Sequence, residues 1–517
     1  MNLHRLGIAA RVACLFALGV AQLHCSKLHR TSLRHEPSSV EPKMSLLPSK
    51  NSPIVTFRIL FRVGSIDDPA GKEGLTALTA SMLAQGGTRS LNYPELLEAL
   101  YPMAARIDFQ VDKEVVVITG QCHRDHLDRY YPLLRDAVLD PRFDEQNFTR
   151  LRDEAMNYLA NHLRGNDDEN LGKWTLQLAL YEGHPYARVD AGTVQGLKSI
   201  TLEDVKAHYR RHFTRESVDL GLAGGYPEEL AGTLRRDFSQ GLPEGTVEHP
   251  PLPPPRTPQG IEVVAIQKPC IATAVSAGFP TLVTRRDEDW YALLVANSYL
   301  GEHRTFNGVL MNELRGRRGL NYGDYSYIEN FIQEGDSTFP VPNIPRRQQY
   351  FSFWLRPIPH RNALFGLKAA LYHLDRLVRE GISEESFQQT RSFLMTYSRL
   401  WAQSLDQRLG YLQDSKFYGI PDYLAEVQKR LPSLTRDQVN QAIRKHLQSK
   451  NLVVALVSEE ASEALDTLVA GNSTPIHYDG PGTPPEILEE DKAIERFPVS
   501  VNRDRSRVLT PDQLFER

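Results

Sequence analysis

Two stretches of this 517-residue chain repeat each other at a constant offset of 234 positions. Ser199-Ile200-Thr201-Leu202-Glu203-Asp204-Val205 corresponds to Ser433-Leu434-Thr435-Arg436-Asp437-Gln438-Val439, and Arg210 and His212 correspond to Arg444 and His446. The run Val218-Asp219-Leu220-Gly221-Leu222-Ala223 then falls opposite Leu452-Val453-Val454-Ala455-Leu456-Val457. Ser-x-Thr caps by themselves recur by chance, because they merely start helices. A cap, a helix, a basic turn and a strand in register, without a gap, read as a divergent duplicated unit. The chain is also too long for one core, so several domains are expected in any case.

The boundary between the halves is the run His249-Pro250-Pro251-Leu252-Pro253-Pro254-Pro255-Arg256-Thr257-Pro258. Proline fixes φ and lacks an N–H, so this segment cannot sustain a helix or a central strand and reads as a stiff extended linker. The first half, residues 51–248, opens on the β-branched and aromatic run Ile54-Val55-Thr56-Phe57-Arg58-Ile59-Leu60-Phe61-Arg62-Val63, a buried strand ending at Gly64. The second half spans residues 259–470. Each half reads as strand, helices, strand and helix, an α+β unit with helices packed on one side of a mostly antiparallel sheet. Residues 26–50 are polar with scattered prolines and read as a flexible lead-in; residues 471–517 lack steady periodicity and read as an extended tail.

Hydrophobic residues at 41%, charged residues at 24% and a formal net charge of -4 describe an ordinary globular protein with no pull toward nucleic acid. Residues 1–25 carry His4, Arg5 and Arg11, then an apolar run over 12–21 that ends in the small residues Gly19-Val20-Ala21, the layout of a signal peptide. Export to the periplasm or the outside is the expectation. Lipid attachment at Cys25 is an alternative to which Gln22-Leu23-His24 is poorly suited. No later segment reaches the roughly 18 to 20 apolar residues of a membrane span. Cys122 and Cys270 lie in different halves and make no disulfide scaffold, a single bridge between them in an oxidising compartment staying open.

The most specific local pattern is Gly64-Ser65-Ile66-Asp67-Asp68-Pro69-Ala70-Gly71-Lys72-Glu73-Gly74-Leu75, followed by an Ala-rich helix that exits through Met82-Leu83 and Gly86-Gly87-Thr88. Helix composition alone describes an unremarkable amphipathic segment. The flanking loop changes that reading, because the whole pattern resembles the zinc-helix segment of the pitrilysin/insulinase metallopeptidase superfamily. There the helix carries His-x-x-Glu-His, whose two imidazoles share one helix face and grip zinc while the Glu serves as base. Ala77, Ala80 and Ser81 occupy those three positions here. Alanine offers no donor atom and a serine hydroxyl is a poor substitute for imidazole. The family's third ligand is a Glu on a later helix, and Tyr158 stands at that position in Arg152-Asp153-Glu154-Ala155-Met156-Asn157-Tyr158-Leu159, with Glu154 one turn away. Further echoes are Gly183-His184-Pro185-Tyr186, Gly192-Thr193 and Leu300-Gly301, so the resemblance runs over about residues 50–470.

The resemblance implies an insulinase-like clamshell half of two homologous domains that binds no metal and no cofactor of its own. Leu314-Arg315-Gly316-Arg317-Arg318-Gly319-Leu320-Asn321-Tyr322 resembles the family's Leu-Arg-x-x-Arg-Gly-Leu-x-Tyr segment, whose Arg and Tyr face the zinc site. In two-chain family members a zinc-free chain supplies that pair to a zinc-bearing partner. Arg318 and Tyr322 are therefore the expected catalytic contributors in trans, acting as hydrogen-bond donors to a developing oxyanion. The expected function is that of a zinc-free subunit that binds peptide substrates and forms a heterodimer with a zinc-containing insulinase-like chain. One alternative is a peptide-binding or structural scaffold without catalysis. Another is a hydrolase with an atypical metal site around Glu154, Tyr158 or His123. Cys122-His123-Arg124-Asp125-His126 sits where a strand hands over to a helix and is a weak metal candidate.

Overall fold

The computed structural model describes residues 41–245, 249, 251–332 and 339–516. The expected signal peptide, Cys25 and most of the lead-in lie outside the described residues. Among the described residues no helix is long and apolar enough to cross a membrane.

Eleven strands form two sheets among the described residues: β1 Lys43–Pro48, β2 Ile54–Phe61, β3 Arg106–Val111, β4 Val116–His123 and β5 Val218–Gly224 in the first, and β6 Ile261–Gln267, β7 Thr273–Thr281, β8 Asp324–Tyr327, β9 Gln349–Ile358, β10 Leu452–Ser458 and β11 Arg507–Leu509 in the second. The first sheet has the order β1-β5-β2-β4-β3, and the second repeats it as β6-β10-β7-β9-β8, with β11 added outside β6. Directions repeat as well. β1 runs parallel to β5 as β6 does to β10, and the remaining pairs of the repeated five are antiparallel in both sheets. The duplication expected from the offset of 234 is thus a duplication of sheet topology, with β5 and β10 as its matched strands.

Two expectations are corrected. The lead-in does not stay free as far as residue 50, because Lys43–Pro48 becomes the edge strand of the first sheet and satisfies the outer backbone groups of β5. Ser45 Oγ also donates to Asp219 Oδ1 at 2.7 Å. Nor is the tail merely extended. It contains the helix Pro485–Glu495, with proline at its first turn, and the strand β11 paired to β6. Beyond β11, Leu514 and Phe515 are buried in a core shared by both halves. Between the halves, residues 251–258 form neither helix nor strand, and Pro253 O accepts from Gln348 Nε2 at 2.8 Å.

Each sheet buries one face under helices of its own half, as the α+β reading anticipates. The opposite face is covered by a helix from the other half. The first-half helix Asp168–Leu180 lies on β7 and β10, where Gly172 allows an approach that would put a Cβ 3.4 Å from Ser276 Oγ. Reciprocally, the second-half helix Leu405–Tyr418 lies on β1, β2 and β5, and Gln413 Nε2 donates to the carbonyls of Arg58 and Asp219 at 3.0 Å each. Buried ion pairs stitch the same junction. Arg346 donates to Asp112 at 2.5 and 2.8 Å, and Arg58 bonds both Asp406 at 2.7 Å and Asn343. The two halves therefore share their interior, with each closing the sheet of the other.

Candidate functional site

The helix Leu75–Gln85 is apolar nearly all round, and it is buried accordingly. Its approach loop is held by one carboxylate. Asp68 Oδ2 accepts from the Gly74 N–H at 2.7 Å, while its Oδ1 accepts from the Thr76 N–H and hydroxyl, each at 2.7 Å. Burial pushes the Asp68 carboxyl up to about 7, against those hydrogen bonds, which favour the ionised form. Gly74 has φ of 105° and its missing Cβ would lie 3.0 Å from Gly192 Cα, so both glycines are required by close backbone approach. The Gly192-Thr193 landmark is thereby explained as the surface on which the loop rests. On the far side of Thr76, its hydroxyl meets His208 Nε2 at 2.9 Å.

A cavity of about 350 Å³ lies beside the helix Leu75–Gln85. Ala77, Ser81 and Gln85, spaced four apart on one helix face, line it together with Tyr158. Ser81 Oγ does not point a lone donor outward, because it donates to Leu78 O at 2.8 Å. Ala80 departs from this grouping: it is 0% exposed and packed in the first-half core. Tyr158 begins a π-helical turn, Tyr158–Leu163, and stacks on His162 with ring centroids 5.5 Å apart. Such turns insert one residue into a helix and recur where a side chain must be re-aimed. Glu154 also lines the cavity but is held by Arg150 at 3.0 Å. The remaining wall is largely carbon, with Leu78, Leu151 and Leu197 beside Phe109, Gln110 and Val111 of β3, and Asp190 adds a second carboxylate to it. Since β3 ends its sheet, its outer backbone edge has no strand neighbour among the described residues, and β3 lines the cavity.

Arg318 and Tyr322 line no part of this cavity. They are also separated from one another in environment. Tyr322 is 80% exposed. The Arg318 side chain is 0% exposed, and its guanidinium is shared among three carboxylates. Nε donates to Asp491 at 2.8 Å, Nη2 to Glu490 at 2.7 Å, and Nη1 to both the carbonyl and the carboxylate of Glu313 at 2.9 and 3.0 Å. The resemblance expects Arg318 and Tyr322 together at a partner's zinc site; in this chain the tyrosine is exposed, whereas the tail helix has closed over the arginine.

Cys122 is buried in β4, and burial pushes its thiol up to about 12. His123 Nδ1 accepts from the Asp125 N–H at 3.2 Å, and the His123 and His126 rings stand 6.4 Å apart. Cys122 and Cys270 are both free thiols. These groups do not converge with Glu154 or Tyr158 into a metal site among the described residues. Sequence reading missed Glu490 and Asp491, although Pro484-Pro485 followed by Ile487 and Ile494 at a seven-residue spacing marks a helix start and one buried face. It also missed the contribution of β3, whose position at the sheet edge no local pattern reveals.

Comparison with known proteins agrees with this architecture. The family profile described as "Insulinase (Peptidase family M16)" matches residues 44–189, and that described as "Peptidase M16 inactive domain" matches residues 199–394. A non-peptidase homolog from Helicobacter pylori is 20% identical over 84% of this chain and 96% of its own length. An uncharacterized zinc protease of Mycobacterium bovis is 23% identical over 84% of this chain and 94% of its own. In three dimensions, the peptidase M16 inactive domain from Pseudomonas fluorescens superposes with a TM-score of 0.71 at 22% identity, covering 81% of this chain and 96% of that one. Two M16-type domains, a zinc-helix frame without its ligands and a repeated sheet topology together make this chain a member of the insulinase-like peptidase superfamily, of the zinc-free type.

Proposed function

We propose that this chain is a non-catalytic subunit that binds unfolded peptide and works beside a zinc-bearing insulinase-like partner. The observation that carries the reading is the cavity of about 350 Å³ beside Ala77 and Ser81, walled mainly by carbon and lined in part by the edge strand β3. An extended peptide can pair its backbone with such an edge while an apolar side chain enters the pocket beside it, a mode that needs no chemistry from the chain. The partner would carry the His-x-x-Glu-His helix and the zinc. Tyr322 is exposed and ready to meet such a partner, whereas Arg318 would first have to leave Glu313, Glu490 and Asp491.

That burial favours a second reading, in which the chain is a peptide-binding scaffold with no in-trans role. One set of measurements separates them. Binding of fluorescent unfolded peptides to the isolated chain should weaken at least about tenfold when Ala77→Trp fills the cavity, with the fold unchanged. Undiminished binding in that variant removes the cavity from the reading. In a co-expressed pair with a zinc-bearing chain, Tyr322→Phe should lower peptide turnover if the side chain donates to the oxyanion. Equal turnover in Tyr322→Phe and Arg318→Ala leaves the scaffold reading standing.

A further inference from the structure

A second constellation lies away from the cavity. Glu313 in the π-helical segment Met311–Gly316, His373 in the helix His360–Glu380 and Glu490 in the tail helix Pro485–Glu495 bring their ligand atoms within 4.8 Å of one another. His373 is 2% exposed, and its Nε2 has no hydrogen-bond partner among the described residues. A buried imidazole nitrogen left unpaired in this way carries an uncompensated desolvation cost, so it calls for a ligand. We infer that Glu313, His373 and Glu490 bind one divalent transition-metal ion of the zinc class, which fastens the C-terminal tail to the second half.

The donor set suits that ion. One imidazole nitrogen with two carboxylate oxygens is a borderline set that selects zinc-like ions over magnesium or calcium, which prefer oxygen alone. Metal bonds of about 2.0 to 2.2 Å in a tetrahedron put neighbouring ligand atoms about 3.3 Å apart. Closing from 4.8 Å requires only rotamer adjustment of the two glutamates, each 17% exposed, around a fixed histidine. Three protein ligands leave a fourth position for water. His373 and Arg376 also line a polar cavity of about 670 Å³, which provides the route by which ion and water enter.

Charge supports the same ion, although three arginines stand nearby. Arg317 and Arg376 reach the two glutamates at 3.1 and 3.5 Å, but their side chains are 38% and 45% exposed and can swing into solvent. Arg318 is the one buried guanidinium facing Glu313, Glu490 and Asp491, so two negative charges are left for a divalent cation. Its hydrogen bonds to Glu313 Oε2 and Glu490 Oε2 orient both groups, as outer partners of metal ligands do, and the Oε1 atoms, which accept from Arg317 Nη1 at 3.2 Å and Arg376 Nη1 at 3.5 Å, are the oxygens the metal takes when those exposed side chains swing away. The inference stands apart from the peptide-binding reading, since none of these residues lines the cavity beside Ala77.

The test uses the full chain, stripped with a chelator and titrated with Zn²⁺ and, separately, with Co²⁺. One equivalent of either ion should bind, with visible cobalt absorption of a tetrahedral nitrogen and oxygen site. Glu490→Gln and His373→Gln should each weaken binding by about 100-fold or more, while Ser81→Ala should leave it unchanged. Bound Zn²⁺ should slow proteolysis within residues 471–484 of the wild type and have no such effect in Glu490→Gln. Glu490 lies on the partly exposed tail, so its variant keeps the test decisive if His373→Gln fails to fold. Absence of saturable binding at micromolar Zn²⁺, or stoichiometric binding retained by Glu490→Gln, overturns the inference and leaves the arginines as the counter-charge of this cluster.

Discussion

Arg318 and Asp491 are 173 residues apart in sequence and 2.8 Å apart in the folded chain. The bond joins the loop after Met311–Gly316 to the tail helix, and it converts an arginine expected at a partner's active site into part of this chain's own interior. Tyr478 completes the cluster by donating to Asp491 Oδ2 at 2.7 Å.

Removing the arginine should therefore act first on stability. Arg318→Met leaves Asp491, Glu490 and Glu313 buried without their shared cation, a loss of about 3 to 5 kcal/mol for a broken buried pair. Urea denaturation of the isolated chain measures it. A change within about 0.5 kcal/mol, the range of surface substitutions, means the guanidinium is free in solution.

The tail should prove equally integral at its last turn. Phe515 is buried among Leu514 and first-half residues, while Arg164 Nε donates to Leu514 O at 2.8 Å. Phe515→Ala is expected to cost about 3 kcal/mol, at the lower end of large aromatic deletions, and to expose the tail to limited proteolysis. An unshifted denaturation midpoint contradicts this docking.

The altered metal helix gives a contrast within four residues. Ala77→His with Ser81→His places two imidazoles on the cavity face at the spacing that grips one ion, and the double variant should acquire weak Zn²⁺ binding measurable by calorimetry. Ala80→Glu should instead destabilise the chain by about 3 kcal/mol or more, since position 80 is fully buried in an apolar core. Equal stability of Ala80→Glu and wild type means the helix rotates to present that face.

Acid should act on the two buried groups flanking Thr76 in opposite senses. Burial, helped by the charge of His212, pushes His208 down to about 3 from an ordinary 6.5. Below pH 6.5 the unfolded chain takes up a proton that the folded chain refuses, so this group removes about 1.4 kcal/mol of stability per pH unit down to about 3. Asp68, raised from 3.8 to about 7 by burial, is protonated first in the folded chain and adds stability as pH falls through that window. Relative to wild type, His208→Gln should gain and Asp68→Asn should lose as the pH is lowered from about 7 to about 5. Denaturation curves at the two pH values check both signs, and parallel behaviour of the two variants contradicts the assignment.

The duplicated α+β plan and the zinc-free insulinase-like family were legible because their cues are local. Periodicity, caps and turn residues act over a few positions, and an alanine lacks a donor atom wherever it sits. The edge strand β1 escaped notice because Lys43–Pro48 becomes a strand only when β5 offers it an edge. Tertiary structure alone decided that the halves exchange covering helices, that Ala80 faces a core while Ala77 faces a cavity, and that Glu490 and Asp491 close over Arg318. Those outcomes depend on burial, which strengthens charge pairing and leaves each desolvated group to be satisfied by whatever the whole fold brings within reach, however distant along the chain.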